Sequence, residues 1–128
     1  MPISYTIDEA QSRVTLRYEG IITDRDLYAV YNGLYDDPGH RIGRDEVADC
    51  RAVDRIEVTR AGLQGLSAAT ALRLDTKRVP WRVAIVAPSD AVFGMARMYE
   101  SFRSESPEQV QVFRDLPSAE AWLAQPSR

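Results

Sequence analysis

From Arg82 to Ala87 the chain reads Arg-Val-Ala-Ile-Val-Ala, an almost unbroken apolar run bounded by Pro80 and Pro88. A run this short suits a strand, and its lack of alternation means that both faces are covered, as in a parallel sheet with helices packed on it. A sheet with one wet face would show every second residue polar. The chain must therefore also supply amphipathic helices, and strands joined through them by crossovers.

The rest of the sequence meets that demand. Residues 3 to 8 and 13 to 19 alternate, with Ile3, Tyr5, Ile7 and then Val14, Leu16, Tyr18 on one face. The polar turn Glu9-Ala10-Gln11-Ser12 joins them, which predicts an antiparallel pair. Thr23-Asp24-Arg25-Asp26 has a hydroxyl N-cap followed by acids where the helix dipole favours them. The helix it opens buries Leu27, Val30, Tyr31 and Leu34 and stops at Asp37-Pro38-Gly39, with loop from His40 to Asp45. Val47 to Val53 is a third strand, and Thr59 caps a second helix with Leu63, Leu66 and Thr70 on its stripe. Pro88-Ser89-Asp90 opens a third helix carrying Val92, Met95, Tyr99 and Phe102. Val110 to Phe113 is the last strand. A last helix starts at Asp115-Leu116-Pro117-Ser118 and ends near Gln125, anchored by Trp122 and Leu123. The order predicts an α/β fold: a mixed, mostly parallel five-stranded sheet with an N-terminal antiparallel strand and four helices.

One domain over residues 1–128 suits this length, at which about two thirds of the unfolded chain's surface is buried on folding. Hydrophobic residues at 45% and charged residues at 27% place the chain among globular proteins. Sixteen Lys and Arg against nineteen Asp and Glu leave a net charge of −3, with no positive excess to displace counterions from nucleic acid. We expect no nucleic-acid partner. No apolar stretch approaches the roughly 20 residues of a membrane span. The opening Met-Pro-Ile-Ser-Tyr-Thr-Ile-Asp has neither the basic nor the apolar region of a secretory signal, and with a single cysteine and a single histidine a reducing, cytoplasmic setting is expected.

With this element order, three stretches give the chain a family likeness: Val47-Ala48-Asp49-Cys50-Arg51 with Val53; Val83 to Ala87 leading through Phe93-Gly94-Met95-Ala96-Arg97-Met98-Tyr99; and Val112-Phe113-Arg114-Asp115 with Ala121-Trp122-Leu123. Over about residues 3 to 124 the chain resembles the STAS and SpoIIAA-like proteins. That resemblance implies a regulatory or binding role, since such proteins include antagonists of anti-sigma factors, and related folds are proposed to bind nucleotides or lipids. Regulatory members carry a phosphoacceptor serine in Asp-Ser-Ser-Gly-Leu at the start of the helix after the third strand. The corresponding stretch here is Thr59-Arg60-Ala61-Gly62-Leu63, which keeps Gly-Leu and loses both serines. Thr59 is the substitute candidate for a phosphoacceptor.

No Gly-rich phosphate loop, metal-spaced cluster or nucleophile elbow is present, so no cofactor, no metal and no enzymatic activity are expected. His40 reads as an exposed loop residue, and Cys50 as a small packing thiol whose reactivity would be the best argument for an enzyme. In open α/β sheets, ligands bind beyond the carboxyl ends of the parallel strands. Thr23, Thr59 and Ser89, first of all helix caps, sit at that edge, with Arg60, Asp90, Asp49 and Arg51 beside them. Clustered helix N-termini suit an anion or an acidic partner. Phe93, Gly94 and Arg97 share a flank of the third helix with interface-like composition, where a mid-helix glycine suggests close approach by another backbone or a ligand. Two readings follow. One is a non-enzymatic regulatory module that binds another protein or itself as a homodimer through its second and third helices. The other is a carrier or sensor of a small anionic or amphipathic ligand, a nucleotide or a lipid, held near the helix N-termini, with Tyr31, Tyr35 and Phe93 as aromatic contacts.

Overall fold

The computed structural model describes residues 2–126. Its elements run β1 (Ile3–Asp8), β2 (Arg13–Thr23), α1 (Asp24–Asp36), β3 (Asp45–Glu57), α2 (Arg60–Arg73), β4 (Trp81–Val86), α3 (Asp90–Phe102), β5 (Glu108–Phe113) and α4 (Leu116–Leu123), with one short 3-10 turn at Asp75–Lys77. The sheet order is β1-β2-β3-β4-β5, antiparallel between β1 and β2 and parallel thereafter. Each parallel strand is added on the same side of the previous one. Right-handed crossovers then place every connecting helix on the same face. The main core lies there, where Leu27, Val30 and Leu34 of α1, Leu63 and Leu66 of α2, and Val92, Ala96 and Tyr99 of α3 meet the sheet. The other face is covered by α4, with Ala119 and Leu123 against Val47, Ala84 and Val86. All six residues of β4 are buried, as its composition requires.

The third strand is longer than Val47–Val53. It holds two more residues than the stretch of β2 it pairs with, and register shifts fall between Arg17 and Glu19 and between Gly20 and Ile21. Gly20 takes φ +75, open to glycine at no steric cost. These bulges break the two-residue period beyond Cys50 and turn Val53 and Ile56 back onto the helix-covered face, where both pack against the core. Alternation alone could not follow the strand to Glu57.

The first two helices interlock. Asp24 accepts from the Thr59 backbone N–H at 2.9 Å and from its hydroxyl at 2.6 Å, and the Tyr28 hydroxyl donates to the Gly62 carbonyl at 2.9 Å. Asp24 and Tyr28 are one turn apart on α1, and Gly62 and Gly65 one turn apart on α2. A Cβ at Gly62 would collide with the Asp24 carboxylate, and one at Gly65 would collide with the Tyr28 hydroxyl. Gly65→Ala is therefore expected to destabilise the protein by about 1–3 kcal/mol, the usual cost of overpacking. In a Tyr28→Phe background the same change is expected to cost much less. Urea unfolding of the four proteins measures the coupling, and equal costs in both backgrounds would show that the interlock does not set it.

Candidate functional site

The helix-covered face is not fully filled. A cavity of about 80 Å³ lies between the sheet and helices α1, α2 and α3. Its wall is largely apolar, with Leu63 and Leu66 from α2, Val92 and Met95 from α3, and Val83 and Ile85 from β4. The polar groups reaching it are Tyr18, Tyr31, Tyr99, Glu108 and the Cys50 thiol. Ile56, Tyr31 and Met95 are the lining side chains that retain appreciable exposure. The β3 bulges bring Ile56 to this wall, so the irregular part of the sheet shapes the site.

Tyr18 and Tyr31 pair through their hydroxyls at 2.5 Å. Burial raises both phenols well above their ordinary pKa, and they remain protonated donors at any physiological pH. Burial likewise pushes the Cys50 thiol up to about 12, with the neighbouring Asp49 carboxylate adding to the shift. Such a thiol is not poised as a nucleophile. Beyond the cavity, Glu108 accepts from the Tyr99 hydroxyl at 3.0 Å and from Arg103 Nε at 2.6 Å. Arg103, 2% exposed, also reaches Asp75 at 2.6 Å and the Ser67 carbonyl at 3.2 Å. This network ties α2, α3 and β5 together behind one wall of the cavity. Glu46 lies on the same face of β3, 3% exposed, and burial pushes its carboxyl up to about 8. Among the described residues, no group of three or more His, Cys, Asp and Glu side chains could hold a metal ion.

The residues named from the sequence are distributed around the cavity without converging on it. Thr23, Thr59 and Ser89 are N-caps, each accepting from a backbone N–H in the first turn of its helix. Asp24 places the N-termini of α1 and α2 side by side, so the positive end of α2 is already occupied by the protein's own carboxylate. Arg60 lies over the Phe102 ring, 5.4 Å from its centroid. Asp49 and Arg51 form a local pair, at 2.8 and 2.9 Å, and Arg51 holds the carboxyl below its ordinary value. Alternation from Val47, which packs under α4, points Asp49 away from the cavity.

On α3, Phe93 is half-buried with the Arg114 guanidinium 3.9 Å above its ring, and Arg114 also pairs with Asp90 at 2.8 Å. Arg97 pairs with Glu100 at 3.3 Å. The close approach expected at Gly94 is absent: a Cβ there would meet nothing within 4 Å. His40 also departs from expectation. It is partly buried, its ring tilted 59° against that of Tyr35 with centroids 5.4 Å apart, and burial lowers its pKa.

The cavity's own residues are not legible in the sequence as a set, although its parts are visible there. Tyr18 stands on the apolar face of its strand and Tyr31 on the buried stripe of its helix, which places both at one interface. Glu108, Glu46 and Asp24 carry no comparable signal, because a carboxylate in a strand or helix end reads as solvated until its neighbours are known.

Among the described residues no helix is long and apolar enough to cross a membrane. No family model matches the chain, and no curated protein matches it by sequence. The architecture does have solved counterparts. One is an uncharacterised protein of the DUF3478 family from Shewanella loihica PV-4, described as having a SpoIIAA-like fold, which superimposes over 95% of this chain and 94% of its own with a TM-score of 0.61 at 17% identity. At that identity the likeness carries the fold, and together with the strand order and helix placement it identifies this chain as a protein of the SpoIIAA-like fold.

Proposed function

We propose that the chain is a non-enzymatic binding module whose ligand is a small, mainly apolar molecule held in the cavity between the sheet and α1–α3. The cavity itself carries this reading. Cores are normally packed close to crystal density, and a space of about 80 Å³ lined by Leu, Val and Ile forgoes dispersion contacts that a ligand would restore. A few polar groups set in an apolar wall are the ordinary make-up of a small-molecule site. An anion at the N-terminus of α2 is the weaker candidate, because Asp24 already holds that position. A protein partner responding to occupancy would do so on the outer faces of α2 and α3, whose inner faces line the cavity. Self-association through the Phe93 flank has less support, since Arg114 covers the ring.

Native mass spectrometry of protein purified without denaturation tests the reading. A co-purifying small mass is expected, and Ala96→Leu, which fills the space from α3, is expected to remove it. No adduct, together with a flat thermal-shift response to a panel of apolar compounds, would overturn the proposal.

The Thr59 hydroxyl donates to Asp24 and accepts from the Gly62 N–H, so it is fully engaged in the α1–α2 junction. A phosphate there would compete with Asp24 for the same N-terminus. Thr59→Asp is expected to destabilise the protein by about 1–3 kcal/mol, the scale of a lost hydrogen bond to a charged group compounded by the facing carboxylate. Asp24→Asn should recover most of that loss. Thermal denaturation of the single and double variants is the measurement, and an unchanged midpoint in Thr59→Asp would show that this junction tolerates added charge.

A further inference from the structure

Two phenols that hydrogen-bond to each other use only one of their two O–H groups. Tyr18 and Tyr31 are such a pair, at 2.5 Å, and both line the cavity. Whichever phenol accepts must point its own hydrogen elsewhere. Among the described residues, neither hydroxyl has a second partner within hydrogen-bonding distance. The remaining polar lining offers little: Glu108 is taken up by Tyr99 and Arg103, and the Cys50 sulfur is a weak acceptor. One donor is thus left over beside an otherwise apolar space.

Resting on the reading of the cavity as a ligand site, we propose that its occupant is a small neutral molecule, mainly hydrocarbon, with a single hydrogen-bond acceptor such as a ketone or ester oxygen that receives the spare phenol hydrogen of the Tyr18–Tyr31 pair. The charge of the surroundings selects neutrality. Among the described residues no Lys or Arg lines the cavity, and Glu108 in its wall, already paired with Arg103, offers an anion no partner. A cation would have to take Glu108 from Arg103, which holds it at 2.6 Å. The volume limits the bound part to a ring or short chain of a few carbons.

Cyclopentane, cyclopentanone and cyclopentanecarboxylate, which share the same five-membered carbon ring, separate the possibilities by NMR titration of the full chain. Carbonyl-labelled cyclopentanone bound to the wild type is expected to show a downfield carbonyl shift, the signature of a donated hydrogen bond. Each single variant, Tyr18→Phe or Tyr31→Phe, retains one donor and should keep that shift. The double variant has none and should lose the shift and about 5- to 10-fold in ketone affinity, the scale of one net hydrogen bond, with cyclopentane binding unchanged. The wild-type shift needs no variant to fold. Binding of cyclopentanone without the shift, or of the carboxylate as tightly as the ketone, overturns the proposal and leaves the apolar cavity reading standing. Binding of none of the three probes overturns both.

Discussion

Replacing Arg103 with methionine is expected to cost about 3–5 kcal/mol of stability, the range for removing one partner of a buried ion pair. Arg103 is 2% exposed and joins Glu108, Asp75 and the Ser67 carbonyl, so the variant leaves the Glu108 carboxyl buried beside Tyr99 with no cation. Burial already pushes Glu108 above its ordinary pKa against the pull of Arg103. Without the guanidinium, that carboxyl can avoid a bare buried charge only by taking up a proton. The double change Arg103→Met with Glu108→Leu is therefore expected to be more stable than Arg103→Met alone, since an apolar pair of similar volume carries no orphaned charge. Urea unfolding of the three proteins checks both statements. A loss below about 1 kcal/mol in Arg103→Met, the worth of an exposed pair, would mean that the network contributes as a surface bridge does.

The second large effect is a dependence on pH that one residue carries. Burial first, and the nearby Glu108 and Asp45 carboxyls next, push the Glu46 carboxyl up to about 8 in the folded protein against an ordinary 4.5. Between those two values the folded state holds a proton that the unfolded state has released. Stability from this group is full below about pH 4.5, falls as pH rises through the window, and is lost above about 8. A tenfold difference in proton affinity between the two states is worth about 1.4 kcal/mol, so the total is on the order of a few kcal/mol. Glu46→Gln keeps the shape and removes the titration. It is expected to be more stable than the wild type at pH 9 and about equal at pH 5. His40, lowered by burial, works in the opposite sense as pH falls through its ordinary value of 6.5, so the wild-type-minus-variant difference is the quantity to follow. Parallel curves for the two proteins from pH 5 to 9 would show that Glu46 is solvated in the folded state.

The local patterns of the sequence determined the elements and their kind. The unbroken run at Val83 to Ala87 required a strand covered on both faces, and β4 is wholly buried between α4 on one side and α1–α3 on the other. Thr23, Thr59 and Ser89 set helix starts because a hydroxyl can accept from a first-turn N–H using only local chain geometry. The Asp49–Arg51 pair is local in the same way, two residues apart on one strand. These features depend on neighbours in sequence, and periodicity reports them directly.

Only the tertiary structure decided what those elements enclose. The length of β3 depended on bulges whose extra residues are defined by pairing with β2, and pairing is not encoded in either strand's own alternation. Gly62 and Gly65 gained their meaning from Asp24 and Tyr28, more than thirty positions earlier. Gly94, a mid-helix glycine like Gly65, faces open space. The cavity and the Tyr18–Tyr31 pair exist because a strand and a helix bring two buried stripes to one interface, where whether the volumes fill the space depends on every side chain around it at once. Burial then turned ordinary carboxyls at Glu46 and Glu108 into strongly perturbed acids, because the cost of charge is set by the surrounding dielectric, and a residue's place in the chain says nothing of that until the fold has closed around it.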